Sequence, residues 1–132
     1  MSTPATPSIS AFLFCADVGA SLDFLVAAFG LERGAVHNGP DGRPRNAEAH
    51  LGGYTVFLSS PHEGELVPAS TLPARHALVM AYVPDVDAVF EWASAAGATV
   101  SYEPADMPYG QRECGLHDLD GNLWSFATLT TG

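Results

Sequence analysis

Few residues in this 132-residue chain could do chemistry, and their spacing decides what they could do. Glu48, His50, His76 and His117 are the residues from which a relocated His/Glu metal site would have to be gathered; no ligand spacing in the sequence gathers them. A histidine near neutrality can act as a general base, so His76 and Glu113 are the acid–base candidates. Cys15 and Cys114 have no metal spacing and make no disulfide framework; they read as reduced, buried thiols. Ser10 and Ser125 lack a Gly-x-Ser-x-Gly context, which leaves a hydrolase triad without support. Gly52-Gly53 is a turn, because no helix follows it to cradle a phosphate.

The elements that must position these groups are duplicated. An offset of 68 carries Asp17 to Asp85, Gly53 to Gly121, Phe24 to Trp92, Ser10 to Leu78 and Phe57 to Ser125. Each copy reads strand, helix, then three strands. Ser8–Cys15 and His76–Val83 are predicted as first strands, each followed by an Asp able to cap a helix. Leu22, Leu25, Val26 and Phe29 have helical spacing, as do Val86, Val89, Phe90 and Ala93. Gly30 and Gly97 are placed to end the two helices in a left-handed conformation. The remaining strands are expected at 33–37, 45–51 and 54–59, then 99–103, 111–117 and 123–128. Asn38–Gly42 and Asp118–Asn122 carry turn chemistry between them. The organisation expected is one domain over 1–132: module one at 8–60, a Pro- and Glu-bearing linker at 61–75, and module two at 76–129.

With this punctuation, Tyr109-Gly-Gln-Arg112 followed by His117-Asp-Leu-Asp-Gly-Asn-Leu-Trp-Ser-Phe126 resembles the ending "YG-x-R … D-x-x-GN-x-W" of the vicinal oxygen chelate superfamily. That group joins glyoxalases, bleomycin-resistance proteins and extradiol dioxygenases. The resemblance implies an α+β fold in which two βαβββ modules form a curved mixed sheet and a cup. It also implies a homodimer in which paired modules complete the cup. The scaffold hosts many chemistries, so the residues must choose among them.

Strand parity divides the side chains between helix and cup. Ile9, Ala11, Leu13 and Cys15, with Ala77, Val79, Ala81 and Val83, suit packing beneath the helices. The opposite parity and the family register place Ser10, Phe12, Phe14, Phe57, His76, Leu78, Met80, Tyr82, Leu123 and Ser125 in the cup. Tyr54, Val56, Leu58, Trp124 and Phe126 then face the helices. By the same resemblance, metal-using members keep their ligands at the positions of Ser10, Phe57, Leu78 and Ser125. Phe and Leu have no donor atom and a hydroxyl is a poor ligand for Zn²⁺ or Ni²⁺, so no metal and no other cofactor is expected. Tyr109 and Arg112 enter as ligand contacts, although an ion pair with a nearby acidic residue is the more common fate of such an arginine.

Composition narrows the partners. With 5 basic against 15 acidic residues and a net charge of −10, neither nucleic acid nor an anionic membrane surface is an expected partner. No apolar run reaches the about 18 residues of a membrane span. Met1–Pro7 has no basic residue and does not read as a signal peptide, so a cytoplasmic location is expected. The leading expectation is a metal-independent small-molecule binder of the bleomycin-resistance type, antibiotic-resistance-like, holding an aromatic or cationic natural product. The alternatives are a metal-free isomerase, lyase or cyclase using His76 or Glu113, and an interaction module with no ligand of its own. A metal-dependent glyoxalase or dioxygenase with relocated ligands is disfavoured.

Overall fold

A computed structural model describes residues 7–130. Met1–Thr6, most of the segment read above for targeting, lie outside the described residues. Strand β1 (Ala11–Phe14), helix α1 (Val18–Phe29) and strands β2 (Glu32–Asn38), β3 (Pro44–Leu51) and β4 (Tyr54–Ser59) form the first module. Strand β5 (Val79–Tyr82), helix α2 (Val86–Ala95) and strands β6 (Thr99–Met107), β7 (Gln111–His117) and β8 (Leu123–Leu129) repeat the plan. Each module builds its own four-stranded sheet, ordered β1-β4-β3-β2 and β5-β8-β7-β6. In both, the first strand runs parallel to the last and the other pairs are antiparallel. The duplication persists in the register: Phe12 lies opposite Phe57, and Met80 opposite Ser125, the same positions shifted by 68.

The helices begin where short carboxylates can satisfy a free amide. Asp17 accepts from the Ala20 amide at 3.1 Å and Asp85 from Ala88 at 3.2 Å. Gly30 ends α1 in the left-handed conformation, φ 73°. In α2 the cap is Ala96, still right-handed, and Gly97 follows it at φ 99°.

The helix-facing sets meet in one core. Leu22, Leu25 and Phe29 of α1 and Val86 and Ala93 of α2 are buried with Leu13, Leu58, Cys114, Leu116, Trp124 and Phe126 from the two sheets. Phe29 joins the halves: its ring lies 5.3 Å from Trp124 and 5.0 Å from Phe126, both on β8. The indole nitrogen of Trp92 on α2 donates to the Ala27 carbonyl of α1 at 2.6 Å.

Three local expectations are corrected. Strand β1 begins at Ala11, and Ile9, assigned above to the helix side, is almost fully exposed because no element covers it. Tyr54 is likewise exposed at the start of β4. Strand β6 continues beyond 103 to Met107, passing through Pro104. It is an edge strand, so a missing backbone N–H need not break the sheet ladder.

Candidate functional site

The faces of the sheets turned away from the helices carry two different surfaces. On the first module Phe12 and Phe57 stack with centroids 5.0 Å apart and planes 16° from parallel. Phe14 extends the row, 6.2 Å from Phe12 at 23°, and meets the edge of His62 at 5.8 Å. Phe12 is 56% exposed, so its ring is open to a further stacking partner. Beside the row, Nδ1 of His50 lies 2.8 Å from the Thr55 hydroxyl, and its Nε2 is 4.0 Å from Glu48.

On the second module the same face is polar and tightly connected. One oxygen of Glu113 accepts from the Tyr109 hydroxyl at 2.7 Å and from the Gln111 amide at 2.8 Å. The other accepts from the Tyr102 hydroxyl at 2.5 Å. Tyr82 donates to the Gln111 carbonyl oxygen at 3.0 Å, and Ser125 lies 2.6 Å from the Tyr102 hydroxyl. Tyr102 has one O–H, and Glu113 takes it, so Ser125 must be the donor in the last contact. Gly115 makes room for this arrangement: a Cβ there would run into the Tyr102 ring.

The protonation chemistry follows from these bonds. Burial pushes the Glu113 carboxyl up, but donation by Tyr102, Tyr109 and Gln111 outweighs it and holds the group below its ordinary range. Such a carboxylate is a poor base near neutrality, which removes the main support for Glu113 as a catalytic base. Burial, then the bond to Glu113, pushes Tyr102 up to about 12 from 10.0. Since this value is raised on folding, the stabilisation is complete below pH 10 and is lost as pH rises towards 12. An ultraviolet titration of the chain's 4 tyrosines should therefore show a step near 12 that is lost in Tyr102→Phe, while Tyr109, raised by its own bond to Glu113, also titrates later than a free phenol. An undiminished step near 12 in that variant would mean that Tyr102 is not the most perturbed phenol.

The cup candidates are divided rather than gathered at one point. Phe12, Phe14, His76, Leu78 and Leu123 line a cleft of about 410 Å³, together with linker residues including Leu66, Val67 and Leu72. Ser10, Met80 and Tyr82 line a second cleft of about 570 Å³ along the seam between β1 and β5. Phe57 belongs to the aromatic row and Tyr109 stands over Glu113. Ser125 is buried under Tyr102, so its hydroxyl does not reach the cup surface.

Arg112 does not line the cup. Its parity is that of buried Cys114 and Leu116, and its guanidinium grips Asp87 at 2.8 and 3.1 Å and reaches Asp106 at 3.4 Å. The ion-pair alternative is the observed one. The guanidinium holds the Asp87 carboxyl below its usual range.

Two further placements matter. Burial pushes the Cys15 thiol up to about 12 and Cys114 up to about 11, so neither is a ready nucleophile. Sequence reasoning did not identify Tyr102 or His62 as site residues. The pairing irregularities of β6 hide the face of Tyr102 from a period-two reading, and Gly115, its cross-strand partner, was the available signal.

The resemblance implies a divalent ion at these positions in metal-using members, but the residues here do not suit one. Ser10, Phe57, Leu78 and Ser125 offer two hydroxyls and no imidazole or carboxylate. Among the described residues no group of three His, Cys, Asp or Glu side chains gathers elsewhere. None of the described helices is long and apolar enough to cross a membrane.

Paired βαβββ modules with a shared helical core and two distinct cup faces define a duplicated α+β cup protein. More particularly, the chain belongs to the Glyoxalase/Bleomycin resistance protein/Dioxygenase superfamily, which its residues 8–126 match. It is similar to an uncharacterized protein of Mycobacterium bovis, 33% identical over 130 residues, or 95% of this chain and 85% of that one. Among solved structures it is similar to TioX from Micromonospora sp. ML1, with a TM-score of 0.75 and 28% identity over 94% of this chain and 99% of the other. TnmS3, an antibiotic binding protein from Streptomyces sp. CB03234, shares the fold at a TM-score of 0.73, with 20% identity over 96% of this chain and 99% of that one.

Proposed function

We propose that this protein binds a planar aromatic small molecule of the natural-product class, without a metal ion, in a cup completed by a second copy of the chain. The observation that carries the reading is the row Phe14, Phe12 and Phe57, near-parallel and with Phe12 more than half exposed. A folded monomer does not ordinarily leave clustered large apolar side chains open unless something covers them. Leu78, Met80 and Tyr82 are exposed on the same parity of the second module, and Tyr109 is exposed in the turn before β7. Antibiotic binding by TnmS3 on a similar fold supports the choice of ligand class.

Native mass spectrometry of the full chain against a panel of aromatic natural products tests this reading. The expected species is a metal-free dimer carrying one adduct per cup. Phe12→Ala should weaken the adduct roughly tenfold, the order expected for one lost stacking pair with its buried area. A stoichiometric transition metal, or no saturable adduct with any compound, would overturn it.

A second reading keeps His76, which faces the cleft beside Leu78, as the base of a metal-free isomerase, lyase or cyclase. It requires turnover that His76→Ala abolishes while the protein stays folded.

A further inference from the structure

We propose that Glu113, with the faces of Tyr82 and Tyr109 beside it, is an anchor for an organic cation, an ammonium or guanidinium group carried by the ligand. This inference rests on the cup-binding reading and adds the charge that the ligand must bear.

The orientation of the hydrogens carries the inference. Ser125 donates to Tyr102 and Tyr102 to Glu113; Tyr82 donates to Gln111 and Gln111 to Glu113; Tyr109 donates to Glu113 directly. Every hydroxyl hydrogen of the cluster is therefore directed along a chain that ends on one carboxylate. The cluster has no free hydroxyl hydrogen to offer a ligand carbonyl. What it presents is negative charge, lone pairs and aromatic faces, a combination that favours a positively charged group.

Among the described residues the carboxylate also has no counterion. Glu113 is only 6% exposed, and a buried charge is normally paired. None of the chain's arginines or histidines lies in ion-pair range of it. Adjacent Arg112 turns to the opposite face and pairs with Asp87 and Asp106. Among the described residues the other arginine pairs are Arg33 with Asp23 and Arg43 with Asp17, and His50 lies beside Glu48. Three hydrogen bonds stabilise the anion but do not neutralise it.

Access is through the tyrosines. Tyr82 is 58% and Tyr109 64% exposed, so their ring faces are open beside the charge they hydrogen-bond towards. A cation resting on those faces would gain the aromatic quadrupole and the dehydrated carboxylate together. The net charge of −10 favours the approach of such a ligand from solution.

Isothermal calorimetry on the full chain with a matched pair of probes tests the anchor: 1-naphthylmethylammonium and its neutral isostere 1-naphthylmethanol. The cation is expected to bind at least about tenfold more tightly to the wild type. Glu113→Gln should remove that advantage and leave the neutral probe unchanged. Should that buried substitution prevent folding, Tyr109→Ala removes an exposed wall and is expected to weaken the cation about two- to fivefold more than the neutral probe. Equal affinity in the wild type would overturn the anchor while leaving the aromatic cup standing. A cation advantage that survives both substitutions would assign it to general surface charge and also overturn the anchor. If neither probe binds, the cup reading fails and the anchor with it.

Discussion

Phe29→Ala is expected to destabilise the protein by about 3–5 kcal/mol, the largest effect among the single substitutions considered. The ring is buried and meets three aromatic neighbours at once: Phe24 at 5.5 Å, Trp124 at 5.3 Å and Phe126 at 5.0 Å. Phe24 is a turn away on α1, whereas Trp124 and Phe126 belong to β8 of the other module. Removing the ring leaves a cavity where the modules join, and close-packed surroundings collapse only partly around such a void. Since a domain of this size has a total stability of about 5–15 kcal/mol, the variant should be marginal at room temperature. Guanidinium denaturation followed by circular dichroism measures this directly. A loss under about 1 kcal/mol would mean that the two modules do not share a cooperative core.

Asp120→Ala is the second large effect, and its origin is polar. Asp120 is buried in the turn between β7 and β8, yet it accepts the Ala16 amide at 3.0 Å and the Ser21 hydroxyl, both from the first module. Deleting the carboxylate leaves the buried Ser21 hydroxyl without its partner, at about 1–3 kcal/mol, and frees the Ala16 amide, which water can reach. Asp120→Asn should lose less, because its amide oxygen can still accept from Ala16 and Ser21 can turn to accept from its nitrogen. A double-mutant cycle with Ser21→Ala isolates the hydroxyl contact. If Asp120→Ala unfolds at the same denaturant concentration as the wild type, water is satisfying these donors and the turn does not latch the modules.

The cup interior shows where reading from the chain was sound and where it was not. Parity placed Phe12, Phe14 and Phe57 on one face, and these rings do stack, because alternation in a regular strand is a steric property of the backbone itself. The same rule applied to β7 sets Arg112 on the helix side with Cys114 and Leu116. The ligand contact offered for Arg112 rested on its place in a motif, whereas parity agrees with the ion pair, the commoner fate of such an arginine, and that pair is the one observed. Tyr102 was hidden for a different reason. Two register shifts in β6 break the alternation on which the count depends.

By itself the sequence determined the duplicated βαβββ plan, the caps at Asp17 and Asp85, the stop at Gly30 and the apolar faces of both helices. Each of these is local: a period, a capping side chain or a φ angle is settled within a few residues. The tertiary structure alone decided that Asp120 would hold Ala16 and Ser21, and that Arg112 would be taken by Asp87. It also decided that three tyrosines would converge on the region of Glu113 with no cation among them. Those contacts join residues far apart in the chain, and which polar groups meet depends on how the two modules and their strands pack. That packing is set by the shape of the whole core, on which no short pattern reports.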